Sequence, residues 1–232
     1  MRARLVSTLL LITSVIYTGA VAAETIAIIG TGNVASALGP KFAAQGHTIV
    51  YGSRNPDSGD AQELVEETGS NASVTTPRES VQNADIVVLA VPGTRAREIV
   101  IGLGDLSGKI IIDPTNPMER KLLTFHHAVK TSNAQIIQAQ QPDADVVKAF
   151  NTLSWKTMKD ADSAGGPVSV PLAGNSRGAK KVVAELAAGM GLEPIDVGGV
   201  ENAHWLEGML LIWINNRFST RDAFDFYLRK AE

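Results

Sequence analysis

Gly30-Thr31-Gly32-Asn33-Val34-Ala35 stands where an apolar run ends and a helical pattern begins. A turn of this kind suits one piece of chemistry, the presentation of backbone N–H groups to an anion. One residue without a side chain makes the tight turn, and a second lets the backbone approach a phosphate. The first amides of the helix and the helix dipole then face the negative charge. Ala35 fills the position where a small residue lets helix and strand pack. The preceding run, Thr25-Ile26-Ala27-Ile28-Ile29, suits a strand buried on both faces. Glycines between a buried strand and a helix predict a dinucleotide site. The plainer alternative is a glycine-rich turn with a degenerate site.

A second position separates the dinucleotides. A carboxylate about twenty residues on would hold the ribose hydroxyls of NAD. Here the next strand ends in Gly52-Ser53-Arg54. A hydroxyl and a guanidinium suit a 2′-phosphate, which favours NADP. A solvated surface arginine is the plainer alternative for Arg54, and it leaves NAD open. Other polar residues read as structural. His126 and His127 are adjacent and would diverge on a helix, a poor metal pair. His47 precedes a strand, and His204 beside Trp205 suits packing. Asp113 at a strand end suits capping of the next turn. No acid–base pair or nucleophilic triad stands out, and none is assigned.

These residues need a scaffold. Strands are predicted at 25–29, 47–51, 84–92, 109–113, 145–150, 168–173 and 193–197. Helices are predicted at about 34–45, 60–68 and 94–101, and Val182, Val183, Leu186, Ala187 and Met190 give the apolar stripe of a further helix with Ser176 as N-cap and Gly191 as stop. Pro40 should loosen the first helix. The alternation implies an α/β, Rossmann-type, doubly wound and mostly parallel sheet with C-terminal helices. Residues 201–214 read as a helix apolar nearly all round, buried either in the core or against a second copy in a homodimer.

The chain has 232 residues, a net charge of −3, 44% hydrophobic and 19% charged residues, and no cysteine. This fits one sizeable folded domain and excludes disulfides, thiolate metal sites and a thiol nucleophile. The absence of a basic run argues against nucleic acid as a partner. Arg2 and Arg4, the apolar run Leu5–Tyr17 and Val21-Ala22-Ala23 have the layout of a secretory signal, cleaved after Ala23. Residues 1–23 are therefore expected to be removed, with no stable membrane insertion afterwards, and residues 24–232 to form the folded domain. The expected location is the periplasm or outside the cell, and the cytoplasm if the signal is unused.

Ile29-Gly30-Thr31-Gly32-Asn33-Val34, Gly46-His47, Gly52-Ser53-Arg54-Asn55-Pro56, Thr115-Asn116-Pro117 and Val147-Lys148-Ala149-Phe150-Asn151-Thr152, with Gly199–Ala203 and Arg217-Phe218, resemble a known family. It is that of the reductases passing hydride between NADP and 8-hydroxy-5-deazaflavin (coenzyme F420), related to the NADPH domain of metalloreductases. The resemblance implies that Gly30, Thr31, Gly32, Asn33 and Val34 line the pyrophosphate turn and that Ser53 and Arg54 hold the 2′-phosphate. It places Val91 and Pro92 beside the ribose and nicotinamide, Asn116 and Pro117 near the reacting ring, and Phe150 and Asn151 at the acceptor pocket. It implies a small-molecule redox acceptor, either a deazaflavin or a flavin, or a metal chelate reduced through a flavin. A β-hydroxyacid dehydrogenase or imine reductase would need a longer helical region after the sheet. A nucleotide-binding sensor without turnover is the reading from another class.

Overall fold

The computed structural model describes residues 23–122, 124–219 and 224–231. The leader read at residues 1–23 lies outside them, apart from Ala23. The chain alternates β1 (Thr25–Ile29), α1 (Asn33–Ala43), β2 (Thr48–Gly52), α2 (Gly59–Thr68), β3 (Ala72–Thr75), α3 (Pro77–Ser80), β4 (Ile86–Leu89), α4 (Ala96–Leu103) and β5 (Ile110–Asp113). A hairpin follows, β6 (Met118–Lys121) and β7 (Thr124–His127), then α5 (Asn133–Gln140), β8 (Asp145–Lys148) and α6 (Trp155–Lys159). The last elements are β9 (Ser169–Gly174), α7 (Arg177–Gly189), β10 (Glu193–Asp196) and α8 (Ala203–Ser219).

Eight strands form one sheet in the order β10-β9-β8-β5-β4-β1-β2-β3. All neighbours are parallel except β8 and β9. The predicted doubly wound architecture is therefore the observed one. Alternation along each strand sends side chains to two cores. Ile26, Ile28, Tyr51, Val88 and Val147 face α1 and α7, while Ala27, Ile29, Leu89, Ile111 and Val146 face α4, α5 and α8. The continuous apolar runs in the sequence reflect burial on both faces.

Several boundaries differ from expectation for local reasons. The segment after β4 begins as a 3-10 turn, Gly93–Arg95, before α4. β8 stops at Lys148 rather than residue 150, because Phe150 has φ +63° and leaves the extended region. The strand β3, the hairpin and α5 are additional elements. In β3 and the hairpin, short runs such as Ala-Ser-Val-Thr and Met-Glu-Arg-Lys carry little apolar alternation. His126 and His127 sit on β7, where they point to opposite faces of the hairpin. Within the single chain α8 is buried along one face, so the core alone does not cover the helix. Ala203 and Leu206 are buried, but Trp205 and Ile212 are 70% and 67% exposed. Only one face of α8 meets the sheet, α5 and the hairpin.

Candidate functional site

The sheet order reverses between β1 and β4, since the chain runs outward to β3 on one side and then returns to β4 on the other. The crevice outside the carboxyl ends of strands at such a point is where α/β sheets bind ligands. A cleft of about 570 Å³ lies there. Ile29 to Gly32 form its base, Gly52 to Asn55 with Ser58 and Pro77 one wall, and Ala90 to Pro92 with Arg95 and Ile99 the other. A second hollow of about 530 Å³ involves Gln135, Gln138, Asp145 and Asn175. It lies at the amino end of β8, away from the strand ends that bind ligands in parallel sheets.

The turn fits a pyrophosphate on two observations. Gly30 adopts φ +109°, and a Cβ there would lie 2.3 Å from the Ala90 carbonyl oxygen, so only glycine fits between β1 and the end of β4. Gly32 is the N-cap of α1 and supplies no side-chain cap, so the first amides of the helix have no capping side chain. A Cβ at Gly32 would meet nothing within 4 Å and would project into open space. At the end of β2, Ser53 is nearly buried, and its Oγ accepts from the Asn55 amide at 3.2 Å. Arg54 is exposed and, among the described residues, has neither a hydrogen-bond nor an ion-pair partner. Arg95 on the facing wall was not singled out from the sequence. Its guanidinium is held by Glu98 at 2.9 Å, in an exposed pair.

Thus Gly30, Thr31, Gly32, Ser53, Arg54, Val91 and Pro92 share one cleft. Asn33 and Val34 begin α1 just behind it. Asn116 and Pro117 do not line it. Pro117 is buried, and the Asn116 carbonyl packs so closely on Gly93 that a Cβ at Gly93 would lie 2.1 Å from it. Asn116 Nδ2 donates to the Asn151 carbonyl, and Asn151 Nδ2 donates to Asn116 Oδ1 and to the Leu206 carbonyl of α8, each at 3.0 Å. The pocket expected from Phe150 and Asn151 is corrected in one respect. The positive φ at Phe150 breaks the alternation of β8, so its ring turns onto the same face as Ala149 and packs against Phe42 in the core. Asn151 is also buried, and its Oδ1 and the Thr152 Oγ1 are buried with no partner among the described residues.

Next to this pair lies a charged cluster. Lys148 is fully buried, and its Nζ donates to Asp113 Oδ2 at 2.9 Å, Glu207 Oε1 at 2.5 Å and the Thr115 carbonyl. Asp113 Oδ1 caps the following turn, as expected, by accepting from the Thr115 amide and hydroxyl. Glu207 Oε1 also accepts from the Asn133 amide, and Oε2 faces His127 Nε2 at 2.8 Å. Asn133 Nδ2 donates to the Gly93 carbonyl at 2.8 Å and to Thr115 Oγ1 at 2.7 Å. Burial pushes the Glu207 carboxyl above the usual carboxylate range, against the attraction of Lys148. The residues of this cluster stand far apart in sequence. The one available signal was a lysine and an aspartate at the ends of two apolar strands, where charge is costly unless paired. Among the described residues no group of histidines and carboxylates has the makings of a metal site.

Residues 25–117 match the family model described as "NADP oxidoreductase coenzyme F420-dependent". The F420-dependent NADP reductase of Methanothermobacter thermautotrophicus is 30% identical over 219 residues, covering 85% of this chain and 92% of that protein. The rat (Rattus norvegicus) metalloreductase STEAP3 is 31% identical over 189 residues, covering 82% of this chain and 37% of its own length. The chain thus spans little more than a third of that relative. A crystal structure of a candidate F420-dependent NADP reductase from Arthrobacter sp. FB24 superposes with a TM-score of 0.79 at 28% identity, over 89% of this chain and 100% of that one.

Proposed function

Because the chain belongs to the family of coenzyme F420-dependent NADP oxidoreductases, we propose that it passes hydride between NADP(H) and a deazaflavin or flavin-type acceptor. The observation that carries the reading is the cleft at the sheet's reversal point, with Ser53 and Arg54 where an NAD enzyme would place a carboxylate. In this reading the amides at the start of α1 hold the pyrophosphate, and the exposed Arg54 guanidinium takes the 2′-phosphate with the Ser53 hydroxyl. Val91 and Pro92 flank the nicotinamide ribose. The nicotinamide supplies the hydride chemistry when bound. The chain's own work is to hold the donor ring, exclude water and present the acceptor from the side of Asn116 and Asn151. The buried, unpartnered Asn151 Oδ1 supports that side, because an acceptor of hydrogen bonds without a donor is costly in the absence of a ligand.

The test is a titration of the purified protein with NADPH and with NADH, followed by energy transfer from tryptophan to the reduced nicotinamide. Tight NADPH binding, followed by oxidation in the presence of F420 or a flavin, supports the proposal. Binding without turnover by either acceptor would favour a nucleotide-binding sensor. Turnover of a ferric or cupric chelate only when flavin is added would favour metal-chelate reduction. The similarity to the metalloreductase recommends including that arm. Export directed by residues 1–23 and pairing of two copies through α8 complete the reading. Cell fractionation and light scattering test them.

A further inference from the structure

The cluster beneath α8 has a proton count that its hydrogen bonds fix. His127 Nδ1 lies 2.6 Å from the Val129 carbonyl oxygen, which can only accept. His127 Nε2 lies 2.8 Å from Glu207 Oε2. Both ring nitrogens therefore face acceptors. A neutral imidazole with its hydrogen on Nδ1 would turn a lone pair toward the carboxylate. One further proton is required, on the ring or on Glu207. With it, Asp113, Lys148, Glu207 and His127 sum to zero charge. Without it, the buried cluster carries one uncompensated negative charge, which is costly.

We propose that His127 and Glu207 share a single proton, and that this proton makes them positioning residues that keep α8 and the hairpin docked on the carboxyl ends of β5 and β8. The consequence runs through named contacts. Glu207 holds the Asn133 amide, and Asn133 holds the Gly93 carbonyl beside the cleft. Leu206, the preceding residue of α8, holds Asn151 and through it Asn116. Loss of the proton sets a lone pair and a carboxylate against each other across the contact between β7 and α8. The asparagine pair then loses its support from α8.

Among the described residues no other charge replaces the proton. From α8, His204 stacks edge-on against His127 with ring centroids 5.1 Å apart, but its Nδ1 is engaged by the Thr131 carbonyl. From β5 and β8 come only Asp113 and Lys148, already paired. Just before α8, Glu201 lies exposed in a 3-10 turn. On the hairpin, His126 bonds Thr124 and sits opposite Glu119, on the face away from His127.

The sign of the pH effect follows. Burial raises the Glu207 carboxyl, and above the ordinary histidine value of about 6.5, where the unfolded chain holds a proton on neither residue, the folded pair keeps a proton that the unfolded state has released. The associated stability is present up to the ordinary histidine value of about 6.5 and is lost as pH rises from there through the folded-state value. The experiment is denaturant unfolding of the full chain across about pH 5 to 9, in wild type and in Glu207→Gln. In the Glu207→Gln variant the new amide nitrogen donates to a neutral His127, and the amide oxygen still accepts from Lys148 and Asn133. The hydrogen bonds then survive without the shared proton.

The expected result is a wild-type midpoint that falls as pH rises above about 6.5 and a Glu207→Gln midpoint that falls markedly less over the same range. Equal slopes in the two proteins would overturn the proposal. A flat wild-type profile would overturn it as well, and that arm needs no variant to fold. The functional consequence rests on the hydride-transfer reading above. Acceptor turnover should fall with pH in wild type while NADPH affinity stays constant. The unfolding profile requires no turnover, so failure of the shared proton and failure of the proposed activity are told apart.

Discussion

Arg54 stands exposed at the mouth of the cleft with its guanidinium unpartnered among the described residues, whereas Arg95 across the cleft is engaged by Glu98. That difference makes Arg54 the better 2′-phosphate ligand. Charged hydrogen bonds contribute about 1.5–3 kcal/mol, so Arg54→Ala should weaken NADPH binding roughly tenfold to a hundredfold. NADH binding should be little changed, and the two fluorescence titrations compare them directly. An equal loss for both cofactors would move Arg54 from the 2′-phosphate to the pyrophosphate. At Lys148 the issue is stability. Lys148→Met leaves Asp113 and Glu207 facing one another with no cation. Breaking a buried pair in this way costs about 3–5 kcal/mol. Denaturant unfolding at neutral pH should show that loss, and a cost under about 1 kcal/mol, typical of an exposed pair, would refute the cluster's role.

Helix α1 positions the glycine turn, and its packing rests on one absent side chain. A Cβ on Gly39 would lie 1.8 Å from the Tyr51 hydroxyl oxygen. Tyr51 is fully buried, bonded to Thr68 Oγ1 at 2.7 Å, and burial pushes its phenol up to about 12. On an exposed helix Gly→Ala stabilises by about 1 kcal/mol. Here Gly39→Ala should instead destabilise by about 1–3 kcal/mol through overpacking, visible as a lower Tm. The opposite sign would mean that Tyr51 can move aside. Helix α7 offers a milder test, since the Ser176 hydroxyl accepts from the Ala179 amide as the sequence predicted. Ser176→Ala should cost about 1 kcal/mol in unfolding free energy. The glycine turn, the N-cap and the stop at Gly191 are local signals and were legible. The hairpin was not, because its short strands carry little apolar alternation and β7 meets its distant partner, α8, only in the folded chain.

Across the whole molecule, α8 closes the far side of the sheet and leaves an apolar stripe outward. Trp205 and Ile212 lie seven residues apart on that helix, and Phe218 near its end is 59% exposed. Two helical turns separate the first two, so they share a face. Leu122 at the hairpin tip is 94% exposed. If a second copy covers this face, light scattering at micromolar concentration gives twice the monomer mass, and Ile212→Glu returns the protein to monomer with NADPH affinity intact. A wild-type monomer would remove the pairing. Among the described residues no helix is long and apolar enough to cross a membrane.

The sequence by itself determined the features that depend on neighbours in the chain. Strand, glycine turn, helix and second strand follow one another between Thr25 and Arg54, so Gly30, Gly32, Ser53 and Arg54 could be assigned to a dinucleotide cleft from spacing and side-chain chemistry alone. Tertiary structure decided what depends on contacts between distant segments. Lys148 meets Asp113 and Glu207 only because β8 lies beside β5 and α8 returns across both. His127 gains its carboxylate partner only when the hairpin folds onto α8. Phe150, itself expected at the acceptor pocket, packs in the core because a single left-handed dihedral turns its ring onto the other face. Hydrophobic periodicity reports whether a position is buried, but it carries no information about which charge will stand opposite.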